Sequence, residues 1–394
     1  MIFTFDSSQV GAPVLSGSAG ALRAVLKACL VDGFGAGAAA SLTVASGVAT
    51  LMFSAAHPYK VGTIMQVAGA TTSGLNGSKR VLSITTDRVT FAAPGIADGA
   101  ASGSITHKVA PAGWQELFAG QLADVIALKP AVPEATGCVL RVDDTGSTTA
   151  RVRCYESMSD ISSGLGPTPT DTQVSGGLWW PKSSGTGSTA KAWRLFADDR
   201  AFYIWTQPYG PTNAGVLLGM GDFISDVPGD GYGAFIAGMV ADGVSASSIQ
   251  ADLAYGSFAS VTEGVYIVRG PSGIGGAVRG SKTAAYNTAS GYSGTRGYSG
   301  GSLVYPYPNQ ADNSLRVTAV DLAGEASGFR GRIAGVMHTP QRAALDFAVG
   351  QTIDGQGLFA GRSFMALRCG GPIYSITSDD VGVAFIDLVG PWRS

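Results

Sequence analysis

Apolar positions recur along this chain with two distinct periods. Between residues 22 and 30 they fall at Leu22, Val25, Leu26, Cys29 and Leu30, the i, i+3, i+4 spacing of one helical face. Ser18 stands where a side chain can cap a first turn, and Gly33 after Asp32 stands where a helix ends. The stretch "GAPVLSGSAGALRAVLKACLVDGFG" (11–35) therefore predicts one helix whose two ends need no ligand. From Ser41 the period drops to two. "SLTVAS", "VATLMF", "TIMQVAG", "KRVLSI", "RVTFAA" and "GSITHKV" read as six short strands between Ser41 and Val109, with turns at Leu75-Asn76-Gly77 and Thr86-Asp87. They predict a small β-module inserted at 41–109, joined to the rest by small-residue segments at Gly35–Ala40 and Ala110–Gly113.

After Trp114 the pattern of strands resumes. "CVLRVDDTGSTTARVRCYE" (138–156) reads as a hairpin turning at Asp143-Asp144-Thr145-Gly146, and "KAWRLFADDRAFYIWTQ" (191–207) as a second turning at Asp198-Asp199. In the second, Trp193, Leu195, Phe202 and Ile204 alternate with Arg194, Phe196, Tyr203 and Trp205, so both faces carry rings and both are expected to be covered. Further strands are expected in "AGVLLGMGDF", "YGAFIAGMV", "GVYIVRG", "SLRVTAVDL", "GRIAGVMH", "FMALR" and "VGVAFIDLVGPWRS", with Trp392 tethering that last segment. The fold class is mainly β: a sandwich- or barrel-like body with one N-terminal helix and an inserted small β-module. Residues 1–40 and 110–394 form the body, and 41–109 the module.

Composition narrows the partners. Charged residues make up 14% of the 394, against roughly 25% in ordinary soluble domains, and 57 glycines are about twice the usual share. So little charge points to surface covered by neighbouring subunits, a homo-oligomer. The sequence has no uninterrupted apolar run of about eighteen residues, so no membrane span is expected. A net charge of −2 lacks the basic field of a nucleic-acid binder. Cys29, Cys138, Cys154 and Cys369 form no CxxC pair and read as reduced core thiols. "MIFTFDSSQV" lacks the basic and long apolar regions of a secretion signal.

Chemistry-bearing motifs are sparse. "GGAVRGSKT" (275–283) approaches the phosphate loop G-x-x-x-x-G-K-[ST], but Ser281 puts Lys282 and Thr283 one residue late and no helical pattern follows. His57, His107 and His338 are the histidines, each in a turn or strand-end context away from any G-x-S-x-G elbow. Paired adjacent aspartates sit in hairpin turns, where Asp serves backbone hydrogen bonding. The glutamates Glu116, Glu134, Glu156, Glu263 and Glu325 are scattered. Asp222, Asp226 and Asp230 in "GDFISDVPGDG" could line a cation site, but their spacing matches no EF-hand loop. Catalytic, cofactor and metal residues are all expected to be absent. Residues 269–301 have no apolar periodicity, yet Tyr286, Tyr292 and Tyr298 recur every six residues, the pattern expected of an ordered arm that contacts a neighbouring protein, the alternative being an arm that folds back on its own subunit.

"FDSSQVGAPVLSGSAGALRAVLKACLVDGFG", "LRVDDTGSTTARVRCYESMSDISSGLGPTP", "WRLFADDRAFYIW" and "GPWRS" resemble a family of virion proteins encoded among the structural genes of tailed bacteriophages and prophages. "HPYKVGTIMQVAGATTSGLNGSKRVLSITTDRVTFAAPG" resembles the small β-modules of phage tail and baseplate proteins. The resemblance implies a virion component of the tail, baseplate or collar, assembled in the bacterial cytoplasm and partnered by other virion proteins. Head decoration is its nearest rival. A receptor-binding or polysaccharide-degrading spike belongs to a different class, and the fixed-period repeat expected of a β-helical spike is missing. The family supplies no catalytic residues to carry over.

Overall fold

The aromatic hairpin sits at the centre of the structure. In the computed structural model, which describes residues 1–242, 264–282, 305–325, 328–370, 376 and 381–393, strands Gly187–Ala197 and Ala201–Gln207 pair antiparallel with Trp193 opposite Thr206 and Leu195 opposite Ile204. All seven residues of Ala201–Gln207 are buried, and so are all seven of the next strand, Val216–Asp222. The two-faced alternation explains this. Trp193, Leu195, Phe202 and Ile204 enter one apolar cluster, while Phe196, Tyr203 and Trp205 enter another. Each large side chain so buried contributes about 1.5–3 kcal/mol.

These strands begin a fourteen-stranded sheet that runs from Phe3–Asp6 through the hairpin, Val216–Asp222, Ala234–Ala237, Val265–Ile267, Val278–Lys282, Thr318–Gly324, Gly328–His338, Gly382–Asp387 and Ser363–Cys369 to an edge at Thr352–Asp354. It curls until its second half covers the inner face of its first. Ile333, Val336, Leu367 and Ile386 pack on Tyr203 and Trp205 in one cluster. The polar ends of the two rings are satisfied across that interior: Tyr203 Oη donates to Ala334 O at 2.6 Å and Trp205 Nε1 to Arg368 O at 3.0 Å. Trp392 closes the bottom, 5% exposed, its ring 5.2 Å from Tyr203 and its Nε1 donating to Asp387 O. The ring lies flat against Gly335, whose φ of 73° and missing Cβ make that approach possible.

The outer face of the first half is covered by the helix and a five-stranded sheet, Gln115–Leu117, Val125–Lys129, Val139–Asp143, Thr149–Tyr155 and Leu178–Pro181. The expected helical face is the observed one: Leu22, Val25, Leu26, Cys29 and Leu30 are at most 1% exposed. The helix itself is short, Ala21–Lys27, and widens into a π turn over Ala28–Asp32. Ser18 does not cap it. The N-cap is Gly20, with no side-chain bond of its own, and the amide groups of Leu22 and Arg23 donate instead to Asp144 Oδ2 at 2.7 and 3.0 Å. Asp144 was expected to serve its own turn; it is wholly buried and paired with the equally buried Lys182, which also donates to Ser18 O. Burial pushes the Asp144 carboxyl up, against the lowering effect of Lys182 and the two amides.

All six strands expected between Ser41 and Val109 are present, in an eight-stranded antiparallel sheet. The boundary differs. Phe34–Ala38, expected as a small-residue joint, is a strand paired with Gly103–Val109, and Gly99–Ala100 adds the eighth. Glycine and alanine at 35–38 conceal the alternation on which a strand reading depends. Gln9 Nε2 donates to Pro58 O at 2.9 Å, and Lys60 reaches Asp6 at 3.1 Å and Ser8 Oγ at 2.7 Å, fastening this sheet to the N-terminal strand.

The trans cap makes a separable expectation. Replacing Asp144→Asn leaves the Lys182 ammonium buried without its counter-charge and should lower unfolding stability by about 3–5 kcal/mol. Ser18→Ala, which removes only a long contact to Gly187 O at 3.4 Å, should stay within about 0.5 kcal/mol. Chemical denaturation of the two variants beside the parent distinguishes a cap from residue 144 from one supplied by residue 18.

Candidate functional site

The glycine-rich entry to the helix holds no room for a phosphate, because the Asp144 carboxylate already occupies the amide groups that would bind one. The near-miss phosphate loop lies largely in a strand. Gly280, Ser281 and Lys282 pair with Gly324, Ala323 and Leu322, so the amides that would cradle an anion are spent on the sheet. Asp222, Asp226 and Asp230 do not converge. Asp222 accepts from Thr136 and Arg200, Asp226 lies 4.0 Å from Arg332, and Asp230 forms a bidentate pair with Arg330 at 2.8 and 3.0 Å. Among the described residues no group of three metal-ligating side chains occurs.

Segment 269–301 divides. Its first part, expected to begin the arm, folds back on its own subunit: Arg269 pairs bidentately with Glu156 and donates to Gly273 O and Gly275 O, Gln173 Nε2 donates to Ala277 O, and Val278–Lys282 is a strand of the main sheet. The partly exposed guanidinium's contacts and the sheet pairing supply what the segment's own apolar content lacks. Tyr286, Tyr292 and Tyr298 lie outside the described residues.

Two histidines are drawn together in a way the sequence does not disclose. His57 and His107 flank Phe53 at centroid distances of 4.8 and 4.7 Å, and Tyr59 Oη lies 2.7 Å from His107 Nδ1. His57 Nε2 is 2.8 Å from Thr85 O. Both His107 and His338 are buried, 8% and 1% exposed, rather than sitting on the surface. Burial, and after it the neighbouring His57, lowers the pKa of His107 from its ordinary value of 6.5. Cys138 and Cys154 also lie near one another inside the core, and none of the four cysteines forms a disulfide.

A concave site lies at the far edge of the main sheet. The strand Thr352–Asp354, a turn over Gly357–Phe359 and the segment 307–317 enclose a cleft of about 580 Å³. Its floor is the third apolar cluster of the protein, where Phe364 and Phe385 are buried and Tyr307 and Phe359 are partly open. Phe359 meets Phe364 edge-on at 5.5 Å, and Tyr307 packs on Phe347 at 5.2 Å. The wall 307–317 is held by one buried side chain, Gln341, which donates to Pro306 O and Ser314 O at 2.8 and 3.1 Å and accepts from the Arg316 amide. The rim is polar and carries both signs: Arg316 and Asp312 pair at 3.1 Å, both largely exposed, and Asp354 accepts from Ser363. Leu358 projects from the lip with its side chain fully exposed. The signal for this site was present in "DGQGLFAG" (354–361), where two large apolar residues stand in a glycine-framed turn.

The sequence matches no protein-family model and no curated protein. Among solved structures, a likeness is found to the phage phi92 endosialidase, with 11% identity and a TM-score of 0.17 over 89% of this chain and 51% of that one. The chain thus spans about half the length of that protein, and an overlap so slight carries no argument about this molecule.

The histidine pair generates a pH expectation. The folded chain holds His107 neutral where the unfolded chain would protonate it, so the stabilisation is complete above pH about 6.5 and is lost as pH falls toward the lowered folded value. The parent should therefore melt at lower temperature at pH about 5.5 than at about 7.5, and His107→Gln should reduce that difference. Calorimetry at the two pH values measures both.

Proposed function

We propose that this protein is a structural component of a tailed bacteriophage particle, acting by subunit packing in the tail, baseplate or collar, and that it is not an enzyme. The observation that carries the reading is how the charged groups are used. The acids and bases that a catalyst would need are committed to architecture: Asp144 to Lys182 and the helix, Asp230 to Arg330, Glu156 to Arg269, and Asp198 to Arg393 and its own turn. What remains outside is sparse charge and isolated projecting apolar side chains, Leu358 fully exposed, Ile274 82%, Leu165 73% and Val61 64%. Apolar side chains exposed singly are ordinary, and it is the low share of charge that suits this surface to being covered. The resemblance of its N-terminal, central and C-terminal segments to virion proteins supplies the context, and assembly in the host cytoplasm agrees with four cysteines that form no disulfide.

Antibody raised to the purified chain, imaged by electron microscopy on intact particles, tests the placement. Label confined to tail, baseplate or collar is the expected result; label on the head moves the protein to decoration, and particles free of label overturn the virion reading. The arm is proposed to begin beyond Lys282, so the informative assembly variant is Tyr286→Ala, Tyr292→Ala and Tyr298→Ala together. It should leave the isolated chain folded and lower its stoichiometry in particles, measured by quantitative mass spectrometry.

A further inference from the structure

We infer that the cleft at the far edge of the main sheet is a self-complementary docking surface, in which Leu358 of one copy of this chain enters the cleft of another. The inference deepens the packing role proposed above and rests on it only for the expectation that subunits associate.

Three features of the molecule meet at this one place. The first is a knob beside a hole. Leu358 makes no burial within its own subunit, yet it stands on the lip of a cleft floored by Phe364, Phe385 and Phe359 and much roomier than one leucine side chain. A surface that carries both a projecting group and the recess to receive it matches itself under a two-fold rotation, where contact i to j is repeated as j to i. The second is charge. The rim offers Arg316, beside its own exposed Asp312 at 3.1 Å, on one wall and Asp354 on the other, so the rotation that exchanges the leucines can set each exposed guanidinium against a second carboxylate, that of the partner copy. A foreign partner would need this mixture supplied; a second copy already has it. The third is the sheet edge. Thr352–Asp354 is the last strand of the main sheet and pairs on one side alone, with Ser363–Cys369, among the described residues. Edges left open are the usual route by which sheets associate.

The cleft is also built to persist without its occupant. Gln341 pins the wall, and the floor rings are packed from below by Phe347 and Ala366. The hole is therefore preformed, so little ordering free energy opposes docking. A small ligand of mixed character would find the same floor, but it would leave Leu358 in water.

The full chain in solution tests this by sedimentation velocity over a wide concentration range, with the parent expected to self-associate reversibly. Leu358→Asp should raise the dissociation constant at least about tenfold while leaving unchanged the melting temperature measured at concentrations where the parent is monomeric, because the residue buries nothing in its own subunit. Arg316→Glu should weaken association, and Arg316→Glu combined with Asp354→Arg should restore it. A parent that stays monomeric throughout, a Leu358→Asp variant that associates as the parent does, or a double charge reversal that fails to recover association overturns the inference. None of these outcomes bears on whether antibody labels the tail, so a monomer that still decorates the particle removes this surface and leaves the virion reading standing.

Discussion

The buried Asp144 carboxylate is the tie on which the first half of the fold depends. It reaches the amides of Leu22 and Arg23, pairs with Lys182, and its own backbone carbonyl accepts from Gly20. Three segments more than a hundred residues apart in one case are thereby fixed to one point: the helix, the hairpin of the five-stranded sheet, and the strand that leads into the central hairpin. A seven-residue helix has almost no stability of its own, since nucleation is unfavourable and few hydrogen bonds follow. Here the helix is held from outside, by a charge at its positive end and by an apolar face pressed on the main sheet. The cost is the desolvation of two charges, which the pairing and the helix amides offset only in combination.

The second constraint is the curl of the fourteen-stranded sheet. A sheet this wide would expose one face of each half unless it folded over, and the residues that make it fold are aromatic rings with polar ends. Tyr203 and Trp205 each bury a ring and spend their single donor on a carbonyl of the opposite half, Ala334 or Arg368. The apolar bodies fill the interior and the donors set the register in which it closes. Arg330 plays the matching part at another corner: wholly buried, it is held by Asp230 and donates to Arg269 O. That link carries order from the curled sheet to the loop over Glu156.

Periodicity made the strands legible and partnership was not. The six strands of the inserted sheet, both long hairpins, the helical face and the anchoring of Trp392 could be read because each rests on a local repeat of two or 3.6 residues, or on one large side chain that must be buried. Phe34–Ala38 was not legible, for its alternate positions are glycine and alanine, which carry no contrast. Asp144 was misread for a different reason. In a turn sequence, Asp is equally suited to its own backbone and to a distant helix, and which one it serves is decided by the tertiary approach of Leu22 and Lys182. His57 with His107, and Cys138 with Cys154, follow the same rule: the residues are visible, their meeting is a product of register. Arg269–Lys282 shows the reverse error, a glycine-rich stretch expected to be ordered by a neighbouring protein that is instead ordered within its own subunit by Glu156, Gln173 and two neighbouring strands.

The cleft at Thr352–Asp354 sits where these constraints end. At Ala201–Gln207, Val216–Asp222, Ala234–Ala237 and Val265–Ile267 the main sheet is covered on both faces, and charges that approach it, such as Asp222 and Arg330, are paired. At this edge the last strand is three residues long, and the third apolar cluster is closed by a segment held by Gln341 and by the packing of Tyr307, Leu315 and Val317 rather than by another layer. The same sequence that elsewhere places small residues at turns here places Leu358 and Phe359 between glycines, one turned to solvent and one into the floor. A turn free to choose polar residues and instead carrying a fully exposed leucine leaves apolar surface in water at a cost of about 25 cal/mol per Å². A second surface brought against this edge would remove that area from water, which is the contribution the proposed docking of Leu358 would make.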